Sequence, residues 1–346
     1  MIEKISFNDD YSYLAHPRIL QAIEQASGES HQTYGLDEYS KKAASLFKDL
    51  TETDCDVHFI SGGTQANLIN ISHILKPYES VITCDSGHIA VHETGAIEAT
   101  GHKVHTTQND LGKVTVQGIN KIITSHHSEH MIIPKMVYLS QSTEKGTMYS
   151  LQELKDISAY CRTHDLYLYI DGARIACALA ANECDFTLAD IANLCDVLYF
   201  GGTKTGLLFG EATLLFNPDF YPNYRHTIKQ RGGLLAKGAA LGVQFHALMK
   251  DNLYLELAKH ANDMAQTIAQ SIANCGYTLD VPCQTNQVFV TLPRNTVESL
   301  EKDFLFLRWS EQGDIITIRL VTSWASKVEN IKSFARKFQA LHENQQ

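Results

Sequence analysis

Short apolar segments alternate with longer amphipathic segments over the first two thirds of the chain. Apolar segments of this length are typical of buried strands, and the amphipathic segments have helical spacing. The pattern predicts strands at 57–60, 81–85, 136–140, 166–170 and 197–200. It predicts helices at 65–75 and 151–164. Strands that alternate with helices in this way indicate an α/β fold, in which helices cover both faces of a mostly parallel sheet.

The pattern changes after a segment rich in Pro and Tyr at 217–224. Helical spacing then predicts one long helix at 237–274, strands at 287–292 and 315–321, and helices at 297–304 and 326–342. These elements predict a second, smaller α+β domain. We therefore expect an N-terminal segment at 1–45 that partly completes the small domain, a large domain at 46–245, and the long helix with the small domain at 246–346.

Composition narrows the class of protein. The 346 residues include 39 acidic and 29 basic side chains, which gives a net charge of −10 and argues against nucleic-acid binding. No apolar run approaches the ~20 residues of a membrane-spanning helix. The eight cysteines form no Cys-x-x-Cys pair, so we expect buried thiols and no metal site. The N-terminus lacks the pattern of a signal peptide, and we expect a cytoplasmic protein without disulfides.

Glycines and polar side chains follow the predicted strands at the point where each strand ends. Gly62, Gly63 and Thr64 follow the first strand, and His88 lies shortly after the second. Asp171 and Lys204 follow two later strands. Because open parallel sheets bind ligands at the carboxyl ends of their strands, we expect these residues to lie around one site.

Each of these residues also has an ordinary structural interpretation. The Gly62-Gly63 turn could bind a phosphate at a helix N-terminus or simply be a tight turn, and it is not a P-loop. Asp171 could hold a cationic nitrogen or cap a helix, and Lys204 could form a Schiff base or be a solvated charge. Their combination in this order favours pyridoxal phosphate (PLP), which needs a phosphate cup, a stacking group, an anion and a lysine.

Five segments of the chain carry a resemblance to a known family. They are Ser-Gly-Gly-Thr-Gln-Ala-Asn at 61–67, Gly-His-Ile-Ala-Val-His-Glu-Thr-Gly-Ala at 87–96, Gln-Ser-Thr-Glu-Lys-Gly-Thr at 141–147, Asp-Gly-Ala-Arg at 171–174 and Gly-Gly-Thr-Lys-Thr-Gly at 201–206. With further matches near both ends, the chain resembles the threonine aldolase/β-eliminating lyase family over nearly its whole length. The resemblance implies a fold-type I PLP enzyme that forms a homodimer or homotetramer with shared active sites.

The resemblance also implies roles for individual residues. Lys204 would bond to the cofactor, Asp171 would pair with its ring nitrogen, and His88 would stack on the ring. The implied phosphate contacts are Gly63, Thr64 and Arg231, with Lys229 or Lys237 as alternatives to Arg231, and Thr203 is a further implied cofactor contact. The implied substrate contacts are Asn8, Arg174 and Arg319, together with Tyr34 from a neighbouring subunit. The base for the β-hydroxyl proton would be His88, with His126, His127 and His130 as weaker alternatives.

The implied reaction is cleavage of the Cα–Cβ bond of a β-hydroxy-α-amino acid, such as threonine or allo-threonine, to glycine and an aldehyde. The chain departs from many bacterial members of the family at 140–144, where those members have a Leu-Glu-Asn-Thr-His-like segment. Two other functions stay open at this point. One is a PLP-dependent β-elimination on another amino acid, and the other is a non-catalytic amino-acid-binding protein with the same fold.

Overall fold

A computed structural model describes residues 4–343 of the chain. Its strands are β1 (Ile5–Ser6), β2 (Asp56–Ile60), β3 (Glu79–Cys84), β4 (Val104–Thr107), β5 (Ile133–Ser140), β6 (Tyr167–Gly172), β7 (Val197–Gly201), β8 (Glu211–Leu215), β9 (Gln287–Pro293), β10 (Phe304–Leu305), β11 (Leu307–Gln312) and β12 (Ile315–Val321). Its α-helices are α1 (Pro17–Ala26), α2 (Glu38–Thr51), α3 (Gly63–Ile74), α4 (His88–Val91), α5 (Val116–Ser125), α6 (Leu151–Thr163), α7 (Ile175–Leu179), α8 (Leu188–Leu194), α9 (Tyr224–Gln230), α10 (Ala239–Met249), α11 (Leu253–Asn274), α12 (Arg294–Leu300) and α13 (Val328–Glu343).

The larger sheet has the strand order β2-β8-β7-β6-β5-β3-β4. Parallel pairing joins β3 to β4 and β5, β5 to β6, and β6 to β7. β8 is antiparallel to both of its neighbours, β7 and β2. β2 therefore has the same direction as β7, and β8 is the reversed strand of this sheet. As a result, the amino end of β8 lies at the edge where the other strands end.

Alternate residues of the central strands enter two apolar cores, one on each face of the sheet. Leu198 and Phe200 of β7 belong to the core that α2, α6, α8 and α10 cover. Val197 and Tyr199 belong to the core that α3 and α9 cover. Every residue of β7 is buried, as expected for a strand with helices on both sides. The predicted α/β fold with a mostly parallel sheet is confirmed.

A smaller antiparallel sheet, in the order β11-β12-β9, lies in the C-terminal part of the chain. Ile318 of β12 pairs with Val290 of β9, and both side chains pack against the helices α11 and α13. β1 pairs in parallel with β10, so the N-terminal strand adds to this part of the molecule. The boundaries at residues 45 and 245 stay a prediction.

Two helix predictions were wrong in detail. The predicted single helix at 237–274 is divided into α10 and α11, because Asp251 and Asn252 adopt left-handed φ angles of 57° and 56°. Asp and Asn tolerate this conformation, which ends a right-handed helix. The predicted helix at 297–304 begins and ends earlier, as α12, and the chain then forms β10.

Two further observations concern membrane-spanning helices and metal sites. Within residues 4–343, no helix is long and apolar enough to cross a membrane. Over the same range, the His, Cys, Asp and Glu side chains form no group of three or more that could hold a metal ion.

Candidate active site

The carboxyl ends of the parallel strands surround one cavity of about 350 Å³. The turn after β2, the helix after β3, the end of β6 and the loop after β7 all contribute to its wall. The residues that the sequence pattern predicted for this wall, and that the structure places there, are Gly62, Gly63, Thr64, His88, Asp171 and Lys204, and Thr203, which the resemblance implied, lies there too. Strands far apart in sequence thus bring together the polar groups that follow their ends.

Asp171 lies at the end of β6 and is held by neighbours on two sides. Its Oδ2 accepts hydrogen bonds from the hydroxyl of Tyr138 and from Asn67 Nδ2, the latter at 3.3 Å. Its Oδ1 accepts the backbone N–H of Ala173 at 2.8 Å. The carboxylate is buried and yet lines the cavity. A fixed anion in this position fits a cationic nitrogen of a bound ring.

His88 is oriented by a buried glutamate. Its Nδ1 lies 2.7 Å from Oε1 of Glu93, which also accepts Asn67 Nδ2 at 2.7 Å. Burial alone would lower the pKa of His88, but the Glu93 hydrogen bond and the charge of Glu144 raise it above the ordinary value. Burial raises the pKa of Glu93, although the hydrogen bonds from His88 and Asn67 act to lower it. Asn67 thus links the imidazole and the Asp171 carboxylate in one network.

Lys204 lies in a short 3₁₀ turn, Thr203–Thr205, directly after β7. The Thr203 hydroxyl donates to Glu211 Oε1 at 2.7 Å, which fixes the start of the turn. Among residues 4–343, no carboxylate lies within ion-pair distance of the Lys204 amine. An amine without such a partner is free to react with a carbonyl compound in the cavity.

The turn after β2 presents free backbone donors to the cavity. Helix α3 begins at Gly63, and its N-cap residue Gly62 offers no side-chain hydrogen bond to the first turn. A Cβ atom on Gly63 would lie 2.6 Å from the hydroxyl oxygen of Tyr199. Glycine is therefore required where the backbone approaches this wall. Free N–H groups at the start of a helix suit a phosphate.

The two arginines proposed for the substrate carboxylate differ in their partners. Arg174 is buried and paired with Asp10, with Nε and Nη2 at 2.7 and 3.1 Å from the two carboxylate oxygens. Arg319 has a buried Nε without a hydrogen-bond partner among the described residues, and only its Nη2 donates, to the backbone oxygen of Asn8 at 3.4 Å. Burial and the charge of Arg174 lower the pKa of Arg319. Arg319 therefore has the greater unused capacity to bind an anion.

The side chain of Asn8 does not take part in this arrangement. Its amide donates to Asp9 at 3.2 Å, and only its backbone oxygen meets Arg319. This placement gives no support to a substrate contact by the Asn8 side chain, which the resemblance implied.

The other residues that the resemblance implied also do not line this cavity, and neither do Asn8, Arg174 and Arg319. The ring of Tyr34 lies 4.9 Å from the Lys229 amine, and the backbone of Arg231 accepts Gln65 Nε2 at 3.2 Å. Lys237 lines a separate cavity of about 510 Å³. The histidines proposed as alternative bases do not line the cavity either: His126 packs on His105, and His127 and His130 are exposed.

Comparison with known proteins gives this arrangement a family. Residues 16–294 match the family model of the beta-eliminating lyases. This chain belongs to the beta-eliminating lyase family. The resemblance drawn from the sequence motifs is confirmed, and the protein is an enzyme of the lyase class.

Threonine aldolases are among the proteins that are similar to this chain. A low specificity L-threonine aldolase of Pseudomonas aeruginosa is 34% identical over 95% of both chains. The solved structure of Leishmania major threonine aldolase superposes with a TM-score of 0.96 and 47% identity, and covers 98% of this chain and 99% of that one. An aspartate aminotransferase of Thermus thermophilus has a TM-score of 0.74 at 14% identity, which shows a shared fold alone.

In this member of the beta-eliminating lyase family, the sequence pattern did not reveal four acidic residues of the site. They are Asp10, Glu93, Glu144 and Glu211. Glu93 and Glu144 lie inside the segments that carry the resemblance, so their position in those segments was an available signal. Glu144 is buried, with Oε2 at 4.0 Å from Arg174 Nη1. Asp10 and Glu211 belong to no such segment.

Proposed function

We propose that this protein is a PLP-dependent aldolase that cleaves the Cα–Cβ bond of a β-hydroxy-α-amino acid of the threonine or allo-threonine type. The products are glycine and an aldehyde. The observation that carries the proposal is the convergence of Lys204, Asp171, His88 and the Gly62-Gly63 turn on one cavity. The similarity to named threonine aldolases over nearly the whole chain supports the same reaction.

The residues of the cavity fit PLP. Lys204 would bond to its aldehyde, Asp171 would face its ring nitrogen, and His88 would lie against the ring. The start of α3 at Gly63 and Thr64, with Thr203, would hold its phosphate. When bound, PLP withdraws electrons from the substrate Cα and so makes cleavage of a neighbouring bond feasible.

The protein groups place the substrate and move its protons. Arg319 binds the substrate carboxylate and thereby sets which Cα bond is aligned for cleavage. His88, oriented by Glu93, accepts the proton of the β-hydroxyl group. The C–O bond becomes a carbonyl as the Cα–Cβ bond breaks, the aldehyde leaves, and Cα then takes up a proton to give glycine.

The protein is also proposed to act as a homodimer or homotetramer, in the cytoplasm. Tyr34 and Arg231 lie outside the cavity of their own chain, and a second copy would allow them to reach a neighbouring site. Analytical ultracentrifugation tests this directly. A monomer with full activity would contradict the sharing of sites.

A glycine-release assay tests the proposed reaction. The holoenzyme is incubated with L-threonine, L-allo-threonine and phenylserine, and glycine is measured. Lys204→Ala should lose the visible absorbance of bound PLP and all activity, whereas the exposed control Lys259→Ala should retain both. A holoenzyme with an intact chromophore that releases no glycine would favour β-elimination on another amino acid. A wild type that binds amino acids but never PLP would favour the non-catalytic function.

A further inference from the structure

Glu211 lies between the two segments that would hold PLP. It is the first residue of β8, and it pairs with Gly201 at the end of β7 and with Ile60 at the end of β2. Because β8 is reversed, its first residue lies at the edge where those two strands end. Its side chain is buried and lines the cavity wall. Glu211 is therefore next to both the Lys204 turn and the Gly63 turn.

The carboxylate of Glu211 holds the two residues that precede Lys204. Its Oε2 accepts the backbone N–H of Gly202 at 2.9 Å, and its Oε1 accepts the hydroxyl of Thr203 at 2.7 Å. The backbone N–H of Thr203 also donates to the oxygen of Gly210 at 3.0 Å. The start of the Lys204 turn is thus attached to the first residue of β8 by both carboxylate oxygens.

The same carboxylate reaches the Gly63 turn through one tyrosine. The Tyr199 hydroxyl faces Glu211 and helps to lower the pKa of its carboxyl group against the effect of burial. That hydroxyl oxygen would lie 2.6 Å from a Cβ atom on Gly63, so it is in close contact with the turn. Glu211 and Tyr199 consequently link the two cofactor segments, although these are far apart in the sequence.

A buried carboxylate is a costly way to accept hydrogen bonds, since a neutral amide oxygen would accept them without losing the hydration of a charge. Among the described residues, no lysine or arginine is within ion-pair distance of Glu211. The titratable groups that face it are Tyr199 on β7 and Lys204 on the turn, while Ile60 on β2 is apolar. Burial raises the pKa of Glu211 to about 7.

We propose that Glu211 is a positioning residue, whose ionised carboxylate holds the Lys204 turn and the Gly63 turn in the arrangement that binds PLP. The inference rests on the proposed function only for the identity of the cofactor. An ionised carboxylate accepts the hydrogen bonds of Gly202 and Thr203 on its two oxygens, whereas the protonated group must use one oxygen as a donor. The arrangement is therefore best formed above the pH at which Glu211 ionises.

The test compares Glu211→Gln with the control Glu79→Gln. Glu79 is also buried and also begins a strand, and its Oε2 accepts the backbone N–H of Lys76 at 2.8 Å, but β3 starts at the opposite edge of the sheet. The dissociation constant of PLP is measured for each apoprotein from pH 6 to pH 8, together with the visible absorbance of the bound cofactor and the urea midpoint. Neither binding measurement requires substrate.

We expect Glu211→Gln to raise the PLP dissociation constant about tenfold at pH 8, which corresponds to the loss of roughly one hydrogen bond to a charged group. At pH 6, the ratio of the PLP dissociation constant of Glu211→Gln to that of the wild type should fall toward one. Glu79→Gln should change the constant less than twofold. A ratio that is independent of pH, or a variant that loses stability but binds PLP as the wild type does, would overturn the inference.

The role of Glu211 and the proposed reaction can fail independently of each other. If the wild type binds PLP but releases no glycine from L-threonine, the proposed reaction fails, and the dissociation constants still decide the role of Glu211. A wild type that binds no PLP contradicts both the proposed reaction and the proposed role of Glu211. If a larger truncation such as Glu211→Ala does not fold, Glu211→Gln remains decisive, because it keeps the shape of the side chain.

Discussion

Replacing Asp10 by alanine should destabilise the protein more than any exposed ion-pair substitution. Arg174 and Asp10 form two hydrogen bonds at 2.7 and 3.1 Å, and their side chains are only 5% and 1% exposed. Removal of one partner from such a buried pair costs about 3–5 kcal/mol, because the remaining charge is left without a partner. Glu144, at 4.0 Å from Arg174, offsets part of this cost. We therefore expect a loss of about 3 kcal/mol.

The matched control is the pair of Arg308 and Glu301, which has the same two-bond geometry at 2.6 Å but side chains that are 31% exposed. Glu301→Ala should cost no more than about 1 kcal/mol. Both variants are measured as apoproteins by urea denaturation with linear extrapolation. If Asp10→Ala costs no more than Glu301→Ala, the reasoning from burial is refuted.

The loss of stability caused by Asp10→Ala should also depend on pH in a defined direction. Burial raises the pKa of Asp10, but the charge of Arg174 and the hydrogen bonds lower it more, so that the folded-state pKa lies below the ordinary value of 3.8. A carboxyl group with a lowered pKa stabilises the folded state above its unfolded-state pKa and loses that effect as the pH falls. The difference between wild type and Asp10→Ala should therefore be largest near neutral pH and shrink below about pH 4.

Three further substitutions test the cavity. Gly63→Ala should lower the free energy of unfolding by about 1–3 kcal/mol and weaken PLP binding, because the new Cβ would lie 2.6 Å from the Tyr199 hydroxyl oxygen. A variant as stable in urea as the wild type would contradict this. Arg319→Ala should raise the KM for L-threonine about 10- to 100-fold and also lower kcat, because the substrate is no longer aligned, and an unchanged KM would argue against a carboxylate contact. Glu93→Gln should lower the pKa of His88 and move the acid limb of the pH–kcat/KM profile to lower pH, whereas an unmoved limb would exclude His88 as the titrating base.

The part of the site that could be predicted from the sequence is the part that follows the ends of parallel strands. Gly63, His88, Asp171 and Lys204 each come shortly after an apolar segment, and the geometry of a parallel sheet places such positions at one edge. A one-dimensional pattern contains this information, because strand ends are visible as changes from apolar to polar residues. The division of the long helix at Asp251 was also visible in principle, since Asp and Asn favour left-handed turns.

The partners of these residues could not be predicted in the same way. Asp10 and Arg174 are 164 positions apart, and no spacing rule relates them. The pairing requires the N-terminal segment to cross to the edge of the larger sheet, which depends on the packing of the whole molecule. The substrate role of Arg174, which the family motif implied, stays a prediction, and the structure adds that the buried Asp10 accepts two of its hydrogen bonds.

Glu211 shows why the direction of a strand matters as much as its existence. A search for residues after strand ends finds every polar group that parallel strands carry to the edge, but β8 runs the other way, so that its contribution lies at the start of the strand. The position where an apolar run begins is an ordinary place for a solvated glutamate in any sequence. Only the pairing of Glu211 with both Gly201 and Ile60 identifies it as part of the cavity wall. In sheets with one reversed strand, the first residue of that strand should therefore be considered together with the last residues of its neighbours.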